Sequence, residues 1–215
     1  FDANEAEIQR AVALAQQHPD IIKVIAVGNE AMVHWAASYF VAPEVILHWV
    51  NHLQGLKADG DLPSDVWITS SDNFASWGGG GPEYHNADLD SLILAVDYVS
   101  MHTYPFHDTH YNPTFWKGGE FDAADVDGAM ARAVAYSQNQ YASVVDYVRR
   151  LDADKPVHIG ETGWASVSDG FYGPEGSRAS DEYKQALFYH GMREWTQSSG
   201  CLLYTSDAAD EVGGV

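Results

Sequence analysis

Basic side chains are scarce in this chain. Eleven Lys and Arg stand against 31 Asp and Glu, a formal net charge of −20 with a sequence pI near 4.5. A phosphate-binding surface displaces counterions with Lys and Arg, so nucleic acid is excluded as a partner and a neutral or cationic one fits better. The acid excess itself reads as solvated surface, as in proteins from salty water. Cys201 is the only cysteine, so neither a disulfide nor a thiolate metal cluster can form within the chain. No apolar run approaches the roughly 20 residues of a membrane span, and no signal peptide is visible, although the chain opens at Phe1 and reads as an internal piece. No GxGxxG or Walker-type glycine loop follows an apolar run, and GGGG at 78–81 precedes Pro82 rather than a helix, which argues against a phosphate cradle.

What is present suits one sizeable core: 215 residues, 46% hydrophobic, with 7 Trp, 12 Tyr and 8 Phe. Asn4 with Glu7 has capping-box spacing ahead of the apolar face Ile8, Ala11, Val12 and Ala15, which predicts a first helix. The near-continuous β-branched run IIKVIAV (21–27) predicts a strand buried on both faces. A helix from Pro43 follows, with Val45, Ile46, Trp49, Val50 and Leu53 inward, then a strand at VWITS (66–70), a loop, and a brief helix around LDSLILAV. Further on come a strand at 98–102, a long loop, a helix of roughly 128–151, a strand at 157–160, and a last helix from Ser180–Glu182 to about Ser198. Tyr183, Ala186, Leu187, His190 and Met192 are expected on its inner face.

Strands alternating with helices predict parallel pairing through right-handed crossovers. Of the two architectures that use it, the closed barrel gathers functional residues at the C-terminal ends of its strands. Polar and aromatic residues crowd there: Asn29 and Glu30, Asp72 and Trp77, His102 and Tyr104, Glu161 and Trp164. The expected class is α/β, a (β/α)8 TIM barrel. A complete barrel takes about 250 residues, so this chain is expected to be truncated, with several strands missing before Phe1 and at least one after Gly200.

VGNEAMVHW (27–35) and VHIGETGWA (157–165) each place a glutamate directly after an apolar run. A buried carboxylate at a strand end must be hydrogen-bonded, paired or neutral. Glu30 taken alone also fits a helix-start acid satisfied by backbone amides. Two such groups converging on one cleft are what glycosidic cleavage requires: one acid protonates the leaving oxygen while the other carboxylate attacks the anomeric carbon or activates water.

VGNEA (27–31) and GETGWAS (160–166) resemble the two signature segments of glycoside hydrolase family 17, and MHTYPFHDTHYNP (101–113) resembles the sixth-strand region of its bacterial members. The resemblance extends over about 4–200. It implies a retaining β-1,3-glucanase or related glucanosyltransferase, with Glu30 as acid/base and Glu161 as nucleophile. It also numbers the strands four to seven, leaving one to three and eight absent. Ala165 stands where the family commonly has Pro. A nucleophile must be ionised and the acid protonated, which implies a bell-shaped pH–rate profile. Asn29 is suited to the sugar 2-hydroxyl, Tyr104 to donating to Glu161, and His102 to hydrogen-bonding carboxylate or sugar. Trp77, Trp116 and Trp164 are candidate stacking platforms or packing residues. No cofactor is implied. The expected partner is a β-glucan polysaccharide or oligosaccharide, with an extracellular or periplasmic setting inferred from substrate size. The sequence leaves the oligomeric state open.

His102, His107, Asp108 and His110 form a rival metal cluster, but their spacing does not match HExxH. The same two glutamates also fit a glycosidase of the same clan acting on another β-glucan or on mannan, and a barrel that binds sugar without cleaving it. CLLYTSDAADE (201–211) back-translates to a stretch resembling a transposase sequencing adapter, so 1–200 are read as barrel and 201–215 as a non-native read-through tail.

Overall fold

A computed structural model describes residues 2–111, 125–167 and 179–201. Helix α1 (Asp2–Gln17) leads into β1 (Val24–Asn29), α2 (Pro43–Asp59), β2 (Trp67–Asn73), α3 (Ala87–Ala95), β3 (Val99–His102), α4 (Pro105–Tyr111), α5 (Val126–Leu151), β4 (Val157–Glu161) and α6 (Glu182–Ser199). The four strands form one parallel sheet in the order β1-β2-β3-β4, the α/β arrangement that strand–helix alternation predicts. The chain divides into two compact units, one of Phe1–Met101 with Val144–Val157 and one of His102–Ser143 with His158–Val215.

In the first unit, α2 buries Ile46, Trp49, Val50 and Leu53 at helical spacing. Pro43 occupies its first turn, where a missing N–H costs nothing, and Gly60 ends it at φ 86°. Asn86 caps α3 by accepting from the amides of Asp88 and Leu89. Lys155 donates to the carbonyl of Val96 at 2.7 Å, just past that helix's last turn. The Asp97 carboxylate accepts from the Ile68 amide at 2.6 Å and the Lys57 ammonium at 2.8 Å, so one side chain ties the start of β2 to α2. Two expectations shift here. Helix α1 already includes Asp2, so Asn4 lies within its first turn and is not the cap. Strand β1 runs over 24–29, with Ile21 77% exposed, and its side chains are half-buried or exposed rather than buried on both faces. It stands at one end of the strand order, whereas β3 is buried throughout.

In the second unit, Trp164, Phe106 and Phe188 pack together, with Ile159, Met130 and Ala133 also buried. Residues 105–111, expected as loop, form α4 from Pro105. Asp181 caps α6 through the Lys184 amide at 2.8 Å. Its buried stripe is Phe188, Met192 and Thr196, an i, i+4, i+8 row. Of the residues expected inward only Met192 belongs to it, and Tyr183 is 58% exposed.

Candidate active site

Glu30 sits where β1 breaks its pairing. Ala26 pairs with Thr69 but Asn29 with Ser71, so three steps on β1 match two on β2, a bulge that re-aims the strand end. Gly28 takes φ 80°, which only glycine adopts without strain, and Glu30 itself is left-handed at φ 46°, the only described non-glycine residue with positive φ. The Glu30 amide donates to the Ser71 carbonyl at 2.9 Å. The turn beyond it is clamped from β2 and the turn that follows that strand: buried Asp72 accepts from the Met32 amide at 2.8 Å, and Ser76 donates to the Met32 carbonyl at 2.9 Å. Asp72 was visible in the sequence only as one more polar residue after a strand. Its function is to fix the chain that follows Glu30.

Glu161 ends β4 in the second unit. Tyr104 donates its hydroxyl to Glu161 Oε2 at 3.1 Å, and His102 Nδ1 lies 3.5 Å from the same oxygen. The Glu161 side chain is 19% exposed and that of His102 wholly buried, so the carboxylate is mostly withdrawn from water yet still open to it. A donated hydroxyl favours the ionised form of a carboxyl and holds its orientation. The backbone is fixed as well: the Thr103 amide donates to the Glu161 carbonyl at 3.1 Å, and Thr162 Oγ1 to the Thr103 carbonyl at 2.6 Å. Beside it in β4, burial pushes the His158 imidazole below its usual pKa, favouring the neutral ring.

The remaining site candidates divide. Asn29 is exposed at the end of β1. Trp77, 0% exposed, donates its indole N–H to the Ser100 carbonyl at 2.9 Å. Trp164, 1% exposed, donates to the Ala179 carbonyl at 2.9 Å, with Phe106 edge-on and Phe188 tilted against it. Neither indole presents a ring face to solvent, so both pack the interior rather than offer a platform to a sugar. Trp116 lies outside the described residues, as does the side chain of His110. Asp108 is bound by Gln140 and Tyr136, and among the described residues no group of three or more His, Cys, Asp or Glu could hold a metal ion. No described helix is long and apolar enough to cross a membrane.

Neither protein-family models nor curated protein sequences give a match. Solved structures do. An endo-laminarinase from Formosa Hel1_33_131 is 61% identical over 94% of this chain and 53% of its own, with a TM-score of 0.86. A glycoside hydrolase family 17 β-1,3-glucanosyltransferase from Rhizomucor miehei aligns over 88% of this chain and 54% of its own at 17% identity and a TM-score of 0.57, a likeness of fold alone. An active-site mutant of that transferase in complex with laminaritriose gives 18% identity and a TM-score of 0.53, covering 84% of this chain and 51% of its own. The chain thus spans about half the length of the solved structures it matches; over nearly all of its own length it is similar in sequence and fold to an endo-laminarinase, and in fold to a family 17 glucanosyltransferase.

Proposed function

We propose that this chain carries the two catalytic carboxyls of a retaining endo-acting β-1,3-glucanase, with Glu161 as nucleophile and Glu30 as acid/base. The observation that carries this reading is the 61% identity to an endo-laminarinase over 94% of the chain. The surroundings of Glu161 support its role: a nucleophile must be ionised, oriented and reachable, and a phenol donor beside a partly exposed carboxylate meets those needs. Glu161 attacks the anomeric carbon, Glu30 gives its proton to the leaving sugar oxygen, and a glycosyl ester forms on Glu161. Glu30, now ionised, takes a proton from water as the water oxygen attacks the anomeric carbon and releases Glu161. Asn29 holds the 2-hydroxyl, an interaction that strengthens toward the oxocarbenium-like transition state.

On this reading the four strands are the fourth to seventh of a (β/α)8 barrel, and the protein acts outside the cytoplasm on a neutral polymer. Hydrolysis is favoured over glucanosyl transfer because the laminarinase likeness extends to sequence and the transferase likeness only to fold. The test is the product pattern of the full-length protein on laminarin, cellulose and mannan oligosaccharides. Laminarin should be cut internally to short oligosaccharides and the other two left intact, with turnover abolished in Glu161→Ala. Turnover surviving that substitution removes the nucleophile, and preferential cleavage of cellulose or mannan removes the linkage.

A further inference from the structure

Helix α5 carries a row of side chains that a buried helix face does not ask for. Ser137 is 0% and Gln140 6% exposed, one turn apart, and both face Thr103 in the segment joining β3 to α4, while Tyr136 meets Asp108 in α4 itself. Buried polar groups cost free energy unless they are satisfied, and here each is. Thr103 Oγ1 is 2.5 Å from Gln140 Oε1 and 3.1 Å from Ser137 Oγ. A carbonyl oxygen can only accept, so the single Thr103 proton goes to Gln140, and Ser137 donates to Thr103. Gln140 Nε2 then donates to Asp108 Oδ2 at 2.9 Å, and the Tyr136 hydroxyl bonds the same carboxyl. Burial pushes the Asp108 carboxyl up in spite of those two donors.

The row ends at the chemistry. Thr103 is bonded through its amide and its carbonyl to Glu161 and Thr162, and the next residue, Tyr104, donates to Glu161 Oε2. The Tyr104 carbonyl in turn accepts from the His107 amide at 3.0 Å, at the start of α4, which also carries Asp108. Tyr104 is therefore held between two anchored points, Thr103 and α4, and Gln140 bridges them.

We propose that Gln140, with Thr103 and Asp108, is a positioning element that aims the Tyr104 hydroxyl at Glu161 and so sets the nucleophile's reactivity. This rests on the reading of Glu161 as nucleophile, so the two must be tested apart. The probe is 2-deoxy-2-fluoro-β-laminaribiosyl fluoride with the full-length protein. Glu161 displaces fluoride to form a glycosyl ester, and because fluoride leaves without a proton the rate reads Glu161 independently of Glu30. Gln140→Met and Thr103→Val should slow ester formation by about ten- to a hundred-fold, as a misaimed group does, with the KM for laminarin changed less than twofold. Thr103→Ser, which restores the hydroxyl, should recover most of the rate. Glu161→Gln should form no ester. Ester forming elsewhere in Glu161→Gln sinks the functional reading. Parental rates in correctly folded Gln140→Met or Thr103→Val, with Glu161→Gln inert, sink the positioning role alone. If either variant fails to fold, the other carries the comparison. If neither folds, Ser137→Ala, which removes the donor to Thr103, must slow ester formation at unchanged KM; a parental rate overturns the proposal.

Discussion

At the scale of single residues, Glu30 carries a conformational cost that its neighbours impose. Left-handed backbone presses Cβ against the following carbonyl at about 1–2 kcal/mol, and Glu30 stands there at φ 46° because the bulge at Gly28 and the amide bond to Ser71 fix the chain before it and the Asp72 bond to the Met32 amide fixes the chain after it. Alanine keeps the Cβ and glycine removes it. Glu30→Gly should therefore be more stable than Glu30→Ala by about 1 kcal/mol, even after glycine's extra unfolded-state freedom, while both lose laminarin turnover. Urea melts of the two variants decide it, and an alanine variant as stable as the glycine one would show that no strain is stored. The sequence made the two glutamates conspicuous by type and place: an acid after an apolar run is unusual enough to need a reason. It did not show the left-handed turn, because φ depends on the register between β1 and β2. Nor did it separate platform from packing for Trp77 and Trp164, since an indole serves either role and only burial distinguishes them.

Among the elements, periodicity was a good guide where one face is strongly apolar and a poor one where polar and apolar residues mix. Helix α2 and strands β2, β3 and β4 lie where the pattern puts them, within a few residues at the ends. The inner face of α6 was misread because Tyr183 and His190 look buriable, whereas the true stripe includes Thr196, whose hydroxyl bonds back to the Met192 carbonyl of its own helix. Helix α4 was hidden in a segment rich in His, Tyr and Pro. The glycine run shows the same limit. GGGG could be recognised as no phosphate loop, but its purpose depends on a partner far along the chain. Gly78 has φ 89°, and a Cβ there would stand 2.3 Å from the ring of Tyr147. That ring cannot retreat easily: it stacks on His85 at 3.9 Å, its hydroxyl bonds Asp90, and His85 Nε2 lies 2.8 Å from the Gly78 carbonyl. Burial, with the Asp90 carboxylate, raises the Tyr147 hydroxyl above the usual tyrosine range and keeps it a donor. Gly78→Ala combines a strained φ with overpacking and should destabilise by about 2–4 kcal/mol, read from denaturant melts. A loss under about 0.5 kcal/mol, the range of inert surface changes, would mean that the Tyr147 packing yields freely.

For the molecule as a whole the dominant feature is charge. With 31 acids against 11 Lys and Arg, most acidic groups have no basic partner available, and exposed pairs such as Lys23–Asp65 at 2.6 Å are screened by water and add little. Mutual repulsion among the surplus acts against the compact state. Sodium chloride shortens the screening length from about 30 Å at 0.01 M to about 3 Å at 1 M, so it weakens the many repulsions more than the few attractions. The thermal midpoint at pH 7 should rise by several degrees over that range, about 2–4 °C for each kcal/mol relieved in a chain of this size. Near pH 4.5, where the sequence pI lies, net repulsion vanishes and the rise should disappear. That control separates screening from a general strengthening of apolar burial by salt, which would persist at both pH values. The catalytic reading makes the complementary demand. A β-glucan is uncharged, so no field steers it to the site, and the kcat/KM for laminarin at a temperature where the protein stays folded should be nearly independent of salt. A midpoint that falls with sodium chloride at pH 7 would show that the exposed ion pairs outweigh the repulsion. A steep salt dependence of kcat/KM would show that the substrate meeting this surface is itself charged.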